Sequence, residues 1–349
     1  MTSINALRLD QRSGLLLCDE ARYWNPEWMI FYTPEKIRRI VEPDMTRSSR
    51  SVMFMGQTGT SSIGDEWIAE ITRAITSEYT SARDQGEEQA RRIARLPELV
   101  RIAFRTIIQV KQAHIDDFLH GRFGFTSRDL IRGYYLDSAG EKVKITNTEQ
   151  VKDALKFLTF SESSEEVKGI FGNSQILAGY HPDDGFRMYY MTERWPVCEE
   201  VQEIFTAQGS GRDTCDLNFA RFADTRPLVQ RRGDEPIPRN KGLFALLKGL
   251  HQALSQTAGI GGYPKIIYID GHQPDPADWV LEISDCRSKL ALEMVSAAVD
   301  GWVAPEMVET ALEELIFNGA DFFSINDRFI KSARDMNGLI RYLRKYSSE

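Results

Sequence analysis

Cysteine and histidine are scarce in this 349-residue chain, and neither is spaced for metal. Cys18, Cys198, Cys215 and Cys286 stand far apart with no Cys-x-x-Cys pair, which argues against a disulfide framework and against a structural zinc site. The histidines (His114, His120, His181, His251 and His272) show no His-Glu-x-x-His spacing, so a helical zinc site has no support either. No stretch approaches the roughly 18 uninterrupted apolar residues of a membrane span. The N-terminal MTSINALRLDQ also lacks the basic and apolar regions of a secretory signal, so the expectation is a cytoplasmic protein with no membrane partner. Basic charge is not in excess: 43 Lys and Arg against 51 Asp and Glu leave a net charge of -8. Nucleic acid is therefore not the expected partner, although charge averaged over a chain can hide a local basic face. Internal repeats and low-complexity tracts are missing as well.

The composition that remains, 42% hydrophobic and 27% charged, is that of a folded chain with a sizeable core. SINALRL, a polar DQRSG turn and GLLLC read as a strand, a hairpin turn and a second strand. SVMFMG is a third strand, running into the Gly-rich GQTGTSSIGDEW and then a helix with Ile68, Ile71, Ile75 and Tyr79 on one face. A polar stretch, SARDQGEEQARRIAR, leads to a second long helix. Pro97 lies in its first turn, and Val100, Phe104, Ile107, Ile108, Ile115 and Leu119 share a face. Residues from about 121 to 170 read as an insertion, with a hairpin at GYYLDSAGEKVKI and a short helix at TEQVKDALKFL.

SQILAGYHPDDGFRMYYM reads as two strands around a Pro-Asp-Asp-Gly turn, and IFTAQGSGRDT as a strand ending in Gly209, Ser210 and Gly211. GLFALLKGLHQALSQ is an amphipathic helix and KIIYID a strand. From about 275 the chain reads as mainly helical, with Pro305 opening one helix and Gly319 closing it.

This order of elements resembles that of the proteasome β-subunit family of N-terminal-nucleophile hydrolases, and local matches carry the resemblance. GLLLCDEAR is similar to the family's Gly-apolar run-Asp-x-Arg, and EKIRRI to its Lys-apolar segment, at a fitting distance from Glu20 and Arg22. GQTGTSS resembles the turn before its first helix, ILAGYHPDDGFRMYYM its central hairpin, and AQGSGRD its Gly-Ser-Gly turn. The resemblance implies an α+β fold, a four-layer αββα sandwich over residues 1–271 with the insertion at about 121–170. A mainly helical C-terminal extension would occupy 272–349.

It also implies a site. A threonine hydroxyl is a poor nucleophile until its proton is removed, and a free α-amine on the same residue, with an ordinary pKa near 8, can serve as the base. The nucleophile must then be the first residue, and Thr2 qualifies once Met1 is removed. Lys36 aligns with the family's catalytic lysine, whose ammonium stabilises an alkoxide by charge. Glu20 aligns with the aspartate that pairs with this lysine; Asp19 takes the role if the strand shifts by one residue. Backbone N–H groups at Thr58 and Gly59 are the oxyanion-hole candidates, and Ser210 matches the serine that hydrogen-bonds the terminal amine. The sequence departs from the family in three places. Glu20 replaces aspartate, the first turn is two residues longer, and TAGIGG, with Thr257 and Ile260, stands where the family has Asp-x-x-Ser-Gly.

The activity implied is threonine-type amide-bond hydrolysis of a polypeptide substrate. No cofactor or metal is required, because the amine, lysine and backbone donors all belong to the chain. The resemblance further implies a homo-oligomeric ring and an ATPase or other regulator as partner. A non-catalytic structural or scaffold subunit and a specialised amidase or peptide ligase are the alternative readings.

Overall fold

The computed structural model describes residues 2–24, 30–32, 35–59, 61–158, 173–192, 197–257 and 260–344, the side chains of 21–34, 61, 62, 156–158, 192, 197 and 344 excepted. Strands β1 (Ser3–Arg8) and β2 (Ser13–Cys18) form the opening hairpin, followed by β3 (Ala21–Trp24), β4 (Ile30–Tyr32) and β5 (Ile37–Arg39). Helix α1 (Pro43–Ser49) leads to β6 (Val52–Thr58), and three helices follow, α2 (Ser61–Gln85), α3 (Glu87–Ala94) and α4 (Leu96–Phe123). Beyond them come α5 (Ser127–Arg132), the hairpin β7 (Tyr134–Leu136) and β8 (Lys142–Lys144), and α6 (Thr148–Leu158). The second half begins with β9 (Ser174–His181), β10 (Gly185–Thr192), β11 (Val197–Glu200) and β12 (Phe205–Gly209). Helices α7 (Arg212–Asp224), α8 (Leu228–Arg232) and α9 (Arg239–Gln256) precede β13 (Lys265–Asp270) and β14 (Val280–Ile283). The C-terminal helices are α10 (Cys286–Val299), α11 (Pro305–Leu312), α12 (Phe322–Lys331) and α13 (Met336–Arg344).

The fold is mixed α and β, with two five-stranded sheets of order β12-β1-β2-β13-β14 and β11-β10-β9-β6-β5, every pairing antiparallel. Side chains alternate across a strand, so one strand can feed two cores. Ile4, Ala6, Leu16 and Ile267 of the first sheet join Val52, Phe54, Ile176 and Met188 of the second in one buried cluster. Their neighbours Leu7, Leu15, Leu17 and Ile266 instead pack with Phe219, Leu246, Leu250 and Leu290 from α7, α9 and α10. On the second sheet, Met53, Met55, Leu177 and Tyr189 pack with Ile71, Ile75, Leu99 and Ile102 from α2 and α4. The sheets approach closely at Gly14, where an added Cβ would lie 2.1 Å from the Phe186 ring, so the ring lies against bare backbone.

Several expectations are refined. The stretch before Pro97, read as a polar lead, is the last turn of α2 and then helix α3, opened at Gly86, whose φ of 131° favours glycine. Strand β14 lies beyond residue 272 and pairs with β13, so the segment read as a mainly helical extension also enters the first sheet. The described part of the insertion contains α5, β7, β8 and α6, and it shares a small apolar cluster with the end of α4; residues 159–170 lie outside the described residues. Among the described residues no helix is long and apolar enough to cross a membrane.

Candidate functional site

Thr2 immediately precedes β1, whose antiparallel register with β12 sets Ser3 opposite Gly209. The Thr2 N–H donates to Ser210 Oγ at 3.1 Å, and Ser210 Oγ donates in turn to Thr2 O at 3.3 Å. This closeness depends on Gly209. Its φ is 96°, and a Cβ there would lie 2.0 Å from the Thr2 carbonyl oxygen. Met1 lies outside the described residues.

One residue along, β1 meets a buried ion pair. The Ser3 N–H donates to Asp19 Oδ1 at 2.8 Å, and Lys36 Nζ donates to the same oxygen at 2.7 Å. Asp19 Oδ2 accepts the Gly261 N–H at 3.3 Å. Lys36 is 3% and Asp19 1% exposed, so water does little to screen the pair. Burial pushes the Asp19 carboxyl above the usual range, opposed by the Lys36 ammonium and the N–H groups of Ser3 and Gly261.

The lysine is therefore held by Asp19, the alternative left open by the sequence, and not by Glu20. Glu20 faces the other way along the chain: its N–H donates to Gly261 O and its Oε2 accepts the Tyr263 N–H at 2.8 Å. The physical reason lies in register. β2 ends at Cys18, opposite Ile4, so Asp19 is the residue that reaches Ser3. The Arg22 side chain lies outside the described residues.

Gly59 follows β6 with a φ of 102°. Thr58 Oγ1 shares a hydrogen bond of 2.9 Å with Ser174 Oγ, which donates to Gln208 Oε1 at 3.0 Å. Gln208 belongs to β12, next to Gly209, so this relay ties the end of β6 across the sheets to the strand that carries Ser210. Ile260 packs on Gly211, an apolar side chain from the TAGIGG segment; Ala258 and Gly259 lie outside the described residues.

Sequence reasoning missed the polar layer behind Thr2. Ser3 Oγ accepts from Asn5 Nδ2 at 3.1 Å and lies 3.6 Å from Cys215 Sγ. All three residues are buried. Burial pushes the Cys215 thiol up to about 11, which keeps it protonated and unreactive. The available signal was Ser3 and Asn5 at a spacing of two inside an otherwise apolar strand, polar residues turned to the helix-facing side. Among the described residues no group of three or more His, Cys, Asp or Glu side chains is placed to hold a metal ion.

No family model matches the sequence, and no curated protein matches it. Among solved structures, the chain is similar to Anbu (ancestral beta-subunit) from Yersinia bercovieri, with a TM-score of 0.51 and 10% identity over 85% of this chain and 93% of that one. It is also similar to an Anbu (Gly-1) mutant from Hyphomicrobium sp. strain MC1, with a TM-score of 0.49 and 11% identity over 86% of this chain and 94% of that one. These findings correct the assignment to the N-terminal-nucleophile hydrolase family of proteasome β subunits. The chain shares a proteasome-like fold with an ancestral beta-subunit at 10% identity, and that likeness is one of fold alone.

Proposed function

We propose that the chain hydrolyses amide bonds of polypeptides with Thr2 as nucleophile, after removal of Met1. The observation that carries this reading is the setting of the Thr2 nitrogen: it is hydrogen-bonded to Ser210 Oγ, and the adjacent Ser3 N–H shares Asp19 Oδ1 with Lys36 Nζ. The free amine takes the proton of Thr2 Oγ as the oxygen bonds to the substrate carbonyl carbon. The C–N bond then breaks, the leaving amine takes that proton, and water hydrolyses the ester to restore the threonine. Lys36 supplies fixed positive charge, and backbone N–H groups at Thr58 and Gly59 receive the carbonyl oxygen as it becomes negative. Ser210 positions the amine.

The period-two division of β1, β2, β6 and β9 between separate apolar clusters supports a four-layer αββα arrangement as part of the same proposal. A cytoplasmic location, a homo-oligomeric ring and an ATPase or regulator as partner also belong to it. A second reading, a non-catalytic scaffold subunit, is favoured by one observation. Ile260 sets an apolar side chain against Gly211, where a polar one could have helped to hold the amine.

Intact mass of the purified protein, together with labelling by a threonine-directed electrophile, tests the two. Loss of the Met1 mass and one adduct per chain are expected, with both adduct and peptide turnover abolished in Thr2→Ala. Uniform retention of Met1, or labelling that survives Thr2→Ala, would overturn the catalytic reading and leave the scaffold.

A further inference from the structure

On the outer side of the first sheet, α7, α9 and α11 enclose a cleft of about 330 Å³. Four basic side chains line it: Arg221 on α7, Arg226 just past its end, and Lys241 and Lys248 on α9, two turns apart and so on one face. Among the described residues none of the four is ion-paired with a carboxylate, although many other basic residues in this chain are. In a protein of net charge -8, that concentration of unneutralised positive charge is local and specific.

The cleft has further features of a built site. The Arg226 guanidinium lies over the Phe222 ring, 4.6 Å from its centroid, an arrangement that fixes the planar group while leaving its N–H edge directed away from the ring. Its Nε is buried with no hydrogen-bond partner among the described residues. A second ring, Phe244, also lines the cleft. Lys241, Lys248 and Arg226 are partly buried, so a ligand there would meet charges that water screens incompletely. One carboxylate, Glu309, faces the same space.

We propose that this cleft binds a small organic diphosphate. Four positive charges against one negative match the roughly three charges of two linked phosphates. Arginine forks suit phosphate oxygens and lysines add point charge. The volume is at the small end of ligand sites, which favours a compact molecule over a peptide segment. Phe244 offers an apolar face to whatever the phosphates are attached to. The site is separate from the Thr2 chemistry and does not depend on it.

Calorimetric titration of the full-length chain with inorganic pyrophosphate and with ADP tests this at low and at raised salt. One saturable site per chain is expected for both, weakened by salt, and tighter for ADP if the organic part uses Phe244. Lys241→Gln with Lys248→Gln should weaken both by about tenfold or more, while the same charge change at Lys152 and Lys289 should leave them nearly unaltered. If the double variant loses its circular dichroism, the exposed Arg221→Gln replaces it, with a loss of about threefold expected. The proposal is overturned by absence of saturable binding, by equal losses in the control variant, or by an oligoglutamate peptide binding more tightly than pyrophosphate.

Discussion

Lys36 and Asp19 are both almost fully buried, and each is tolerated there because of the other. The carboxylate has a second source of support in the N–H groups of Ser3 and Gly261, which would remain if the lysine were removed. Lys36→Met is nonetheless expected to destabilise the fold by about 3–5 kcal/mol at neutral pH, since it leaves a buried charge without its ammonium. The double variant Asp19→Asn with Lys36→Met should recover most of that loss, because the amide oxygen can still accept the Ser3 N–H and no charge is left to bury. The sign of the pH effect follows from the direction of the Asp19 shift, upward by burial. Below the ordinary carboxylate pKa, about 3.9, the folded and unfolded states of Lys36→Met are both protonated at this residue. As pH rises from there towards the raised folded-state value, the unfolded state ionises while the folded state resists, so the deficit grows, and it levels off above that value. Urea unfolding at acid and neutral pH would show this, and a deficit independent of pH would refute it.

At the level of elements, Asp184 in the turn between β9 and β10 performs a task that α4 cannot perform for itself. The residue before α4, Arg95, makes no side-chain cap, yet the Leu96 N–H donates to Asp184 Oδ2 at 2.9 Å. Arg95 Nε lies 2.9 Å from both carboxylate oxygens. The hairpin turn thus caps the long helix and pins it to the second sheet. Burial raises the Asp184 carboxyl, but the Arg95 and Leu96 donors outweigh it and the net shift is downward. Asp184→Asn should therefore cost about 1–2 kcal/mol at neutral pH, less than a fully buried pair because Arg95 is open to solvent. The contribution is present above the unfolded carboxylate pKa and disappears as pH falls through the folded one, so wild type and variant should converge in acid.

The Pro-Asp-Asp-Gly turn itself was legible in the sequence, as were β1, β2, β6, β9, β13, α2 and α4, whose apolar residues repeat at two or at three to four. Helix α7 was not: DTCDLNFARFAD interleaves acids and aromatics, and only Cys215, Phe219 and Ala223 are buried, so its periodicity is thin. Short strands β5, β11 and β14 carry three or four residues each and offer too few positions for alternation to register. Of the candidate site, Thr2, Lys36 and Ser210 enter through the family resemblance of their segments, whereas the choice between Asp19 and Glu20 as the partner of Lys36 depends on strand register, which is set by pairing partners far away in the chain.

Across the whole molecule, apolar burial is uneven, and that unevenness sets which parts open first. The C-terminal helices are integral to the core: Leu290, Met294, Val308, Leu312, Leu315 and Phe329 share a cluster with Leu7 and Leu15 of the opening hairpin. By contrast, α5, β7, β8 and α6 rest on a small satellite cluster of Ile115, Leu119, Phe125 and Ala154 at the far end of α4. Leu136, Ile131 and Leu155 of that segment are exposed. Opening it would uncover few buried side chains and leave both five-stranded sheets intact, so its free energy of opening should lie well below that of global unfolding. In hydrogen exchange at low denaturant, amides of 127–158 should exchange through this local opening, insensitive to small additions of urea. Those of β1, β2 and β9 should exchange only by global unfolding, with the full denaturant dependence. Deleting residues 127–158 should accordingly leave the sheets folded, whereas truncation at residue 271 should remove β14 and one wall of the largest core and yield an aggregating chain. Equal protection of both regions, or a soluble and cooperatively folded 1–271 fragment, would contradict this division of the molecule.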